Sequence, residues 1–299
     1  MPRPEKPALL RWLYRSEFES VLPLRDVLQH GAHVVLGKDA IAAEAYAESN
    51  LNAFWNYLLK EQESDNQRGV SRVFEIVDPM ARTLSWCPVP SHADSMQARR
   101  TARLRHRPAV LSMIDTLNDR EYEALACVSL RLVGASETFL TPPGNEGGVD
   151  FFALLPSPGR CHLFSGGHHP LRIVGQSKKY TSAMEAGEFK EFLTTMEEVK
   201  HGGQRKTENI VPVWFRAVYG PIIGLVIAHS GFQSGATTRA RQHGVLTAES
   251  LDMAEIVALS KAIPEHMAGE DRALECKTRI RALVAQPGIL QPTSVTTKI

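Results

Sequence analysis

The sequence predicts an α/β protein in which a mixed β-sheet is flanked by helices and is preceded by a smaller α+β domain. Two observations predict the sheet. Strands are predicted at 149–155 and 171–180, and the apolar run at 222–228 has the character of a buried strand. Helical segments with capping signals or an apolar stripe alternate with them, at 119–133, 182–200, 234–243 and 249–262. A short strand at 138–140 follows the first helix, and another at 245–246 precedes the last.

Capping signals predict where the helices around this sheet begin. Asn118 and Glu121 form an Asn-x-x-Glu capping box, and the helix they open ends at Gly134. Ser182 and Glu185 form a second box. The helix predicted after it has an apolar stripe at helical spacing, made of Phe189, Phe192, Leu193, Met196 and Val199. A short edge strand is also predicted at 162–164.

The N-terminal region predicts a domain of a different kind. Helices are expected at 8–22, 39–47 and 51–63, and strands at 72–77 and 83–89. Three helices followed by a hairpin are the element order of a winged-helix domain, although other small α+β folds share that order.

The chain therefore divides into three predicted parts. Residues 1–110 form the N-terminal α+β domain, with an Arg-rich linker at 97–107. Residues 115–262 form the sheet domain, and residues 263–299 contain a helix at 270–285 and a mobile tail.

Composition restricts the classes of function. The 299 residues carry a net charge of +1, which gives no overall attraction to nucleic acid. The four cysteines are far apart and include no C-x-x-C pair, so a structural zinc knuckle is not expected. No signal-peptide core is found at the start, and no apolar run reaches the roughly 18 residues of a membrane helix, so a cytoplasmic protein without a membrane segment is expected. Walker A, HExxH, GxSxG and GxGxxG motifs are absent, which disfavours an ATPase, a zincin, an esterase and a dinucleotide enzyme.

Local charge is more informative than net charge. Five arginines lie within nine residues, at Arg99, Arg100, Arg103, Arg105 and Arg107. A charge run of this kind is either a solvated linker or a set of phosphate contacts, and composition leaves both open.

The chemistry is concentrated at two short segments. Asp150 follows the glycine pair Gly147 and Gly148, and Gln176 and Lys178 lie on a predicted strand 26 and 28 residues later. Side chains of a strand alternate between its faces, so Gln176 and Lys178 point to the same side. A carboxylate, an amide oxygen and an ammonium at one sheet edge suit metal-assisted attack on a phosphate, as in a nuclease.

The residue types have specific roles in such a reaction. Mg²⁺ prefers oxygen ligands, which Asp150 and Gln176 supply, and Mn²⁺ is the alternative cation. The cation lowers the pKa of bound water and neutralises the charge that develops on the phosphate. Lys178 would orient or activate the attacking water. Glu123 lies one turn into the capped helix and could direct a second carboxylate to the same cation.

Several segments carry a resemblance to a known family. They are EYEAL (121–125), TPPGNEGGVD (141–150), VGQSKKY (174–180), IAHSGFQSGA (227–236) and GVL (244–246). Together they resemble the Mrr-type restriction endonuclease domain, a branch of the PD-(D/E)xK nucleases in which glutamine replaces the second acidic residue. The resemblance covers residues 115–262. The chain departs from the family pattern at Tyr122, Ser177, His229 and Ser230, and in the length of the 156–170 segment.

The resemblance implies a restriction-endonuclease-like fold that cleaves DNA with Mg²⁺. It implies that Asp150, Gln176 and Lys178 are catalytic and that Glu123 supports the metal. Gly147, Gly148, Lys179 and the five arginines are candidate DNA contacts, and a winged-helix-like DNA-binding region often precedes this nuclease in the family.

Restriction or antiviral defence is the expected setting, with DNA as the partner and a homodimer as one route to double-strand cleavage. Two alternatives stay open. The chain is a nuclease gated by a partner in a larger defence or DNA-repair assembly, or it is a non-catalytic DNA-binding adaptor on a nuclease scaffold.

Overall fold

The computed structural model describes residues 5–16, 18, 20–68, 74–86, 102–144, 148–156, 169–201, 211–264 and 266–285. The chain separates into two compact units, Met1–Ser112 and Met113–Ile299, called here the N-terminal and the C-terminal unit. The predicted edge strand at 162–164 and the predicted tail at 286–299 lie outside the described residues.

The N-terminal unit combines helices with a small antiparallel sheet. Its described elements are α1 (Glu5–Leu13), β1 (Leu22–Pro23), α2 (Leu24–Leu36), α3 (Ala40–Arg68), β2 (Phe74–Asp78), β3 (Thr83–Trp86) and the start of α4 (Arg107–Asp115). The strands lie in the order β1-β3-β2. The unit has its own apolar core, to which Leu13, Leu24, Phe54, Phe74 and Leu84 contribute. The winged-helix assignment stays a prediction.

The helices of this unit differ from the predicted ones. The helix predicted at 8–22 ends at Leu13, and α2 was not predicted. Its N-cap is Pro23, which makes no side-chain cap bond, so the usual polar start signal is missing. The two helices predicted at 39–47 and 51–63 are one helix, α3. Ser49 and Asn50 interrupt the apolar pattern, but their side chains donate to the carbonyls of Ala45 (2.8 Å) and Tyr46 (2.9 Å), and the helix continues.

The C-terminal unit is a sheet with helices around it. Its elements begin with α5 (Asp119–Leu132), β4 (Glu137–Leu140), β5 (Phe151–Leu155), β6 (Leu171–Lys178), the 3₁₀ turn Ala186–Glu188 and α6 (Phe189–Lys200). They continue with α7 (Val213–Ala217), β7 (Ile222–Ala228), α8 (Ser234–Gln242), β8 (Val245–Glu249), α9 (Ser250–Leu259) and α10 (Gly269–Ala285).

The five strands form one mixed sheet in the order β4-β5-β6-β7-β8. The β4-β5-β6 pairs are antiparallel, whereas β6, β7 and β8 run parallel. Helix α6 packs on one face, where Phe192 and Met196 join Val174 and Val226 in the core. Helix α5 packs against β4, β5 and β6, and none of its residues belongs to that core cluster, which places it on the other face. The predicted α/β fold, a mixed sheet flanked by helices, is confirmed.

One of the two predicted capping boxes is present. Asn118 and Glu121 cap α5 as expected. The box predicted at Ser182 and Glu185 is wrong, because Met184 pairs with Phe232 in an isolated parallel bridge that keeps the chain extended. The capping box observed there joins Glu185 to Glu188, and α6 begins one residue later. In the part of the chain that the structure describes, no helix has the length and apolarity to cross a membrane.

Candidate active site

Asp150 is fixed at the start of β5 by backbone hydrogen bonds on both sides. Its N–H donates to the carbonyl of Gly175 (2.8 Å), and its carbonyl accepts from the N–H of Thr141 (3.0 Å). Its side chain turns toward β6, where Oδ2 accepts from the N–H of Ser177 (2.7 Å). The carboxylate is therefore held against the strand that carries the other two candidate residues.

Burial raises the pKa of Asp150 to about 6, and the charges around it add to this or oppose it. The Ser177 N–H lowers this pKa because it stabilises the ionised form, and the Glu123 carboxylate raises it by repulsion. Lys178 and Arg120 lower it by attraction. Two carboxylates, of Asp150 and Glu123, therefore face two cations, of Lys178 and Arg120, and burial is what keeps the pKa of Asp150 raised.

Gln176 lies across from Asp150. Phe151 pairs with Gly175 in the β5–β6 register, so the next pair outward is 150 with 176. The Gln176 side chain is 1% exposed, and among the described residues its buried Oε1 has no hydrogen-bond partner. A buried unpaired carbonyl oxygen costs about 1–3 kcal/mol. This oxygen needs a donor or a cation that the described side chains do not provide.

Lys178 ends β6 on the same face as Gln176. Its carbonyl accepts from the N–H of His229 (2.9 Å), which follows β7. The side chain of His229 in turn contacts Oδ1 of Asp115 through Nε2 (2.9 Å) and meets the ring of Tyr122 edge-on, with centroids 5.8 Å apart. This cluster, which the sequence did not reveal, fixes the strand end that carries Lys178.

Glu123 supplies the second carboxylate from α5. Arg120 pairs with it at 2.6 Å and also donates to the carbonyl of Thr141. Because Thr141 bonds to the backbone of Asp150, the ion pair ties α5 to the strand end that carries Asp150. The predicted members Glu123, Asp150, Gln176 and Lys178 thus lie in one neighbourhood.

The oxygen ligands in this neighbourhood fit a hard divalent cation. Within the described ranges, no group of three or more His, Cys, Asp and Glu side chains could hold a metal alone. The fit depends instead on Asp150, on the unpaired oxygen of Gln176 and on Glu123. Two carboxylates and an amide oxygen suffice for Mg²⁺, which keeps several of its waters.

Gly148 keeps the space beside this group open. Its φ is +65°, and a Cβ atom there would lie 3.0 Å from Nε2 of Gln176 and 3.3 Å from Cγ of Glu191. Glu191, in the first turn of α6, borders this space with its carboxyl group and was not predicted. The only sequence signal for it is its place beside the buried Phe192 in the helix after β6. The neighbouring Gly147 lies outside the described residues.

The candidate DNA contacts, unlike the candidate catalytic residues, are divided between the two units of the chain. The ammonium of Lys179 donates to the carbonyls of Asp115 (2.9 Å) and Leu117, where it caps the end of α4. In the N-terminal unit, Arg105 is exposed and Arg103 is half-buried. Arg107 is fully buried, with its guanidinium 5.5 Å from the centroid of the Tyr14 ring. Arg99 and Arg100 lie outside the described residues.

Comparisons with known proteins give matches among solved structures alone. No family model matches the chain, and no curated protein matches it. The MspJI restriction endonuclease in complex with a 27-mer oligonucleotide is 16% identical, with a TM-score of 0.39 over 70% of this chain and 43% of that one. The DNA modification-dependent restriction endonuclease AspBHI is 15% identical, with a TM-score of 0.37 over 67% of this chain and 44% of that one.

The restriction endonuclease FokI bound to DNA is 9% identical, with a TM-score of 0.33 over 86% of this chain and 45% of that one. The chain spans less than half the length of each of these three structures. All three are restriction endonucleases by their names.

Proposed function

We propose that the chain is a DNA endonuclease of the PD-(D/E)xK type, in its Mrr-like branch, that hydrolyses phosphodiester bonds with Mg²⁺. One observation carries the proposal: the buried, unpaired oxygen of Gln176 lies opposite the Asp150 carboxylate, with Lys178 on the same face of β6. A structural glutamine would satisfy its oxygen within the fold, whereas a ligand oxygen leaves it available for a cation.

Asp150, Gln176 and Glu123 would hold Mg²⁺, with Mn²⁺ as the alternative. The bound cation lowers the pKa of a coordinated water and offsets charge on the phosphate. The chain's own groups supply the rest. Asp150 binds the cation in its ionised form, and its pKa of about 6 in the metal-free protein means that protons compete with the cation increasingly below about pH 6. Lys178 orients the attacking water and stabilises negative charge at the phosphate.

Gly148 contributes because it has no side chain. A Cβ atom at this position would make tight contacts with the side chains of Gln176 and Glu191, and the left-handed backbone favours glycine. With Gly147 it would let the DNA backbone approach Asp150 closely. Lys179 is proposed as a DNA contact in second place, since its ammonium already caps α4.

The N-terminal unit is proposed to position DNA, with Arg99, Arg100, Arg103 and Arg105 as its phosphate contacts. The buried Arg107 is left out of this set, because its guanidinium belongs to the core of the unit. The start of α3 is not proposed to contact phosphates. Its exposed Glu44 and Glu48 share a single partner, Arg25, at 3.0 and 2.9 Å, so two carboxylates face one guanidinium and this surface is negatively charged.

The biological setting remains within the same proposal. Restriction or antiviral defence is the primary candidate, and a nuclease subunit gated by a partner in a defence or repair assembly is the second. A non-catalytic DNA-binding adaptor is the third, and the intact set of Asp150, Gln176 and Lys178 disfavours it.

Plasmid cleavage tests this function. Methylated and unmethylated supercoiled plasmids are incubated with the wild type, Lys178→Ala, Asp150→Ala and the control Lys200→Ala, with and without Mg²⁺. Lys200 is a matched surface lysine on α6, which pairs with Glu197 one turn earlier. We expect cleavage by the wild type and the control with Mg²⁺, and a loss of about 100-fold or more in both site variants.

Two results would contradict the proposal. Equal cleavage by the wild type and Lys178→Ala would show that Lys178 takes no part in cleavage, and it would contradict the proposed active site. DNA binding without cleavage of any plasmid, with either Mg²⁺ or Mn²⁺, would favour the adaptor, and activity that appears only on addition of a cell extract would favour the partner-gated nuclease.

A further inference from the structure

We propose that Glu191 is a positioning residue, which orients the carboxamide of Gln176 so that its oxygen, and not its nitrogen, faces the cation. The inference rests on the proposed function, because it concerns the same metal site. It assigns a role to a carboxylate that the resemblance to the nuclease family did not single out.

The position of Glu191 follows from the space above Gly148. A Cβ atom at Gly148 would lie 3.0 Å from Nε2 of Gln176, 3.3 Å from Cγ of Glu191 and 3.5 Å from its Cδ. The amide nitrogen and the carboxylate therefore border the same small space from two sides. The oxygen of the same amide is buried and unpaired.

A carboxamide has two orientations of nearly equal shape, so the surrounding charges decide between them. Asp150 lies opposite Gln176 in the strand pair and would attract the amide nitrogen toward the metal site. Glu191, across the space above Gly148, attracts the nitrogen as well and repels the oxygen. The oxygen can face the cation only when the nitrogen faces Glu191, and the charge of Glu191 favours that orientation.

Helix α6 holds Glu191 at this place. Phe189 and Phe192, on either side of it in sequence, are fully buried in the core cluster, which fixes the rotation of the first turn. Glu191 is exposed between them, on the rim of the site. A negative charge is also favourable in the first turn of a helix, because the backbone N–H groups there are unpaired.

Metal binding in the absence of DNA provides the test. Mn²⁺ affinity is measured by calorimetry and by electron paramagnetic resonance for the wild type, Glu191→Ala, Gln176→Glu and the double variant. Glu198→Ala, which removes a carboxylate from a later turn of the same helix, is the control. Thermal unfolding of each variant, without metal, verifies that the fold is intact.

We expect Glu191→Ala to weaken Mn²⁺ binding about ten-fold, a value typical of groups that orient a ligand, and the control to change it little. In the Gln176→Glu background there is no amide to orient. Removal of Glu191 should then leave the affinity unchanged or increase it, because two carboxylates no longer repel each other.

An equal loss in both backgrounds would show that Glu191 acts only through its charge, and it would overturn the positioning role. No loss in the wild-type background would overturn it as well. The proposed function fails separately: a wild type that binds Mn²⁺ with the expected dependence on Glu191 but cleaves no DNA contradicts the nuclease alone. A wild type that binds no Mn²⁺ overturns both.

Discussion

At the scale of single residues, Asp150 combines well-bonded atoms with an environment that disfavours its ionised form. Its backbone and one carboxylate oxygen are bonded, yet burial and the nearby Glu123 keep its pKa at about 6, above the ordinary value of 3.8. The folded protein therefore binds a proton here that the unfolded chain has already released between about pH 4 and 6. Ionised Asp150 costs folding free energy, which a bound cation would recover.

The first prediction follows from the sign of that shift. As pH rises from 4 through 6, the wild type loses stability at this residue, since its folded pKa is the higher one. Asp150→Asn keeps an acceptor for the Ser177 N–H but has no charge. Without metal it should be more stable than the wild type by about 3 kcal/mol at pH 7, and the difference should disappear near pH 4.

Urea unfolding at pH 4, 5, 6 and 7 measures this difference, with the exposed Asp271→Asn as the control. Added Mg²⁺ should raise the stability of the wild type and leave that of Asp150→Asn unchanged. A variant that is less stable than the wild type at pH 7 would show that the folded protein does not disfavour the ionised form of Asp150.

At the scale of elements, the β5–β6 pair sets the geometry of the site. Within this pair the ring of Phe151 packs directly over its strand partner Gly175. A Cβ atom at Gly175 would lie 1.9 Å from Cζ of Phe151, whose ring is fully buried. Any side chain at 175 must displace the ring that precedes Phe152 and follows Asp150. The two residues hold the strand pair that brings Asp150 opposite Gln176.

The second prediction concerns this contact. Gly175→Ala should lower the free energy of unfolding by about 2–3 kcal/mol, because a well-packed ring has no free space to move into. Phe151→Leu should restore part of the loss in the double variant. Gly187→Ala is the matched control, because a Cβ atom there has no neighbour within 4 Å. Chemical denaturation compares these variants and Phe151→Leu alone with the wild type, and additive effects of Gly175→Ala and Phe151→Leu would rule out a direct clash.

Elements with local signals were predicted well. Helix α5 has its capping box at Asn118 and Glu121, and β7 has the predicted bounds, Ile222–Ala228. Helix α2 was missed because it starts at Pro23 without a polar cap. The break expected inside α3 is absent, because side-chain bonds of Ser49 and Asn50 to the preceding turn are not visible as a sequence pattern.

The site shows the same division between local and tertiary information. Gln176 and Lys178 were predicted to face one way, since a strand has a period of two. Asp150 was predicted to meet them at one edge of the sheet, and it lies at the start of β5. Glu191 could not be predicted, because its closeness to Gln176 depends on how α6 packs over the sheet. The contact of Lys179 with α4 could not be predicted either, because its partner Asp115 is 64 residues away in sequence.

At the scale of the whole molecule, the described residues contain one such site per chain. A duplex has two phosphodiester backbones of opposite direction, so a single site cuts one strand in each binding event. Cleavage of both strands requires a second copy of the chain or two successive nicks. The proposed homodimer and sequential nicking therefore differ in how the products depend on protein concentration.

The last prediction uses this difference. At low concentration, nicked circles should accumulate before linear plasmid, and the initial rate of linear product should rise with about the second power of protein concentration if two copies cooperate. An excess of Lys178→Ala added to the wild type should then form mixed pairs and divert product from linear to nicked DNA. Agarose electrophoresis of a time course measures both species. Linear product that rises in first order and is insensitive to the added Lys178→Ala would contradict cooperation between copies, and each chain would then cut both strands in turn.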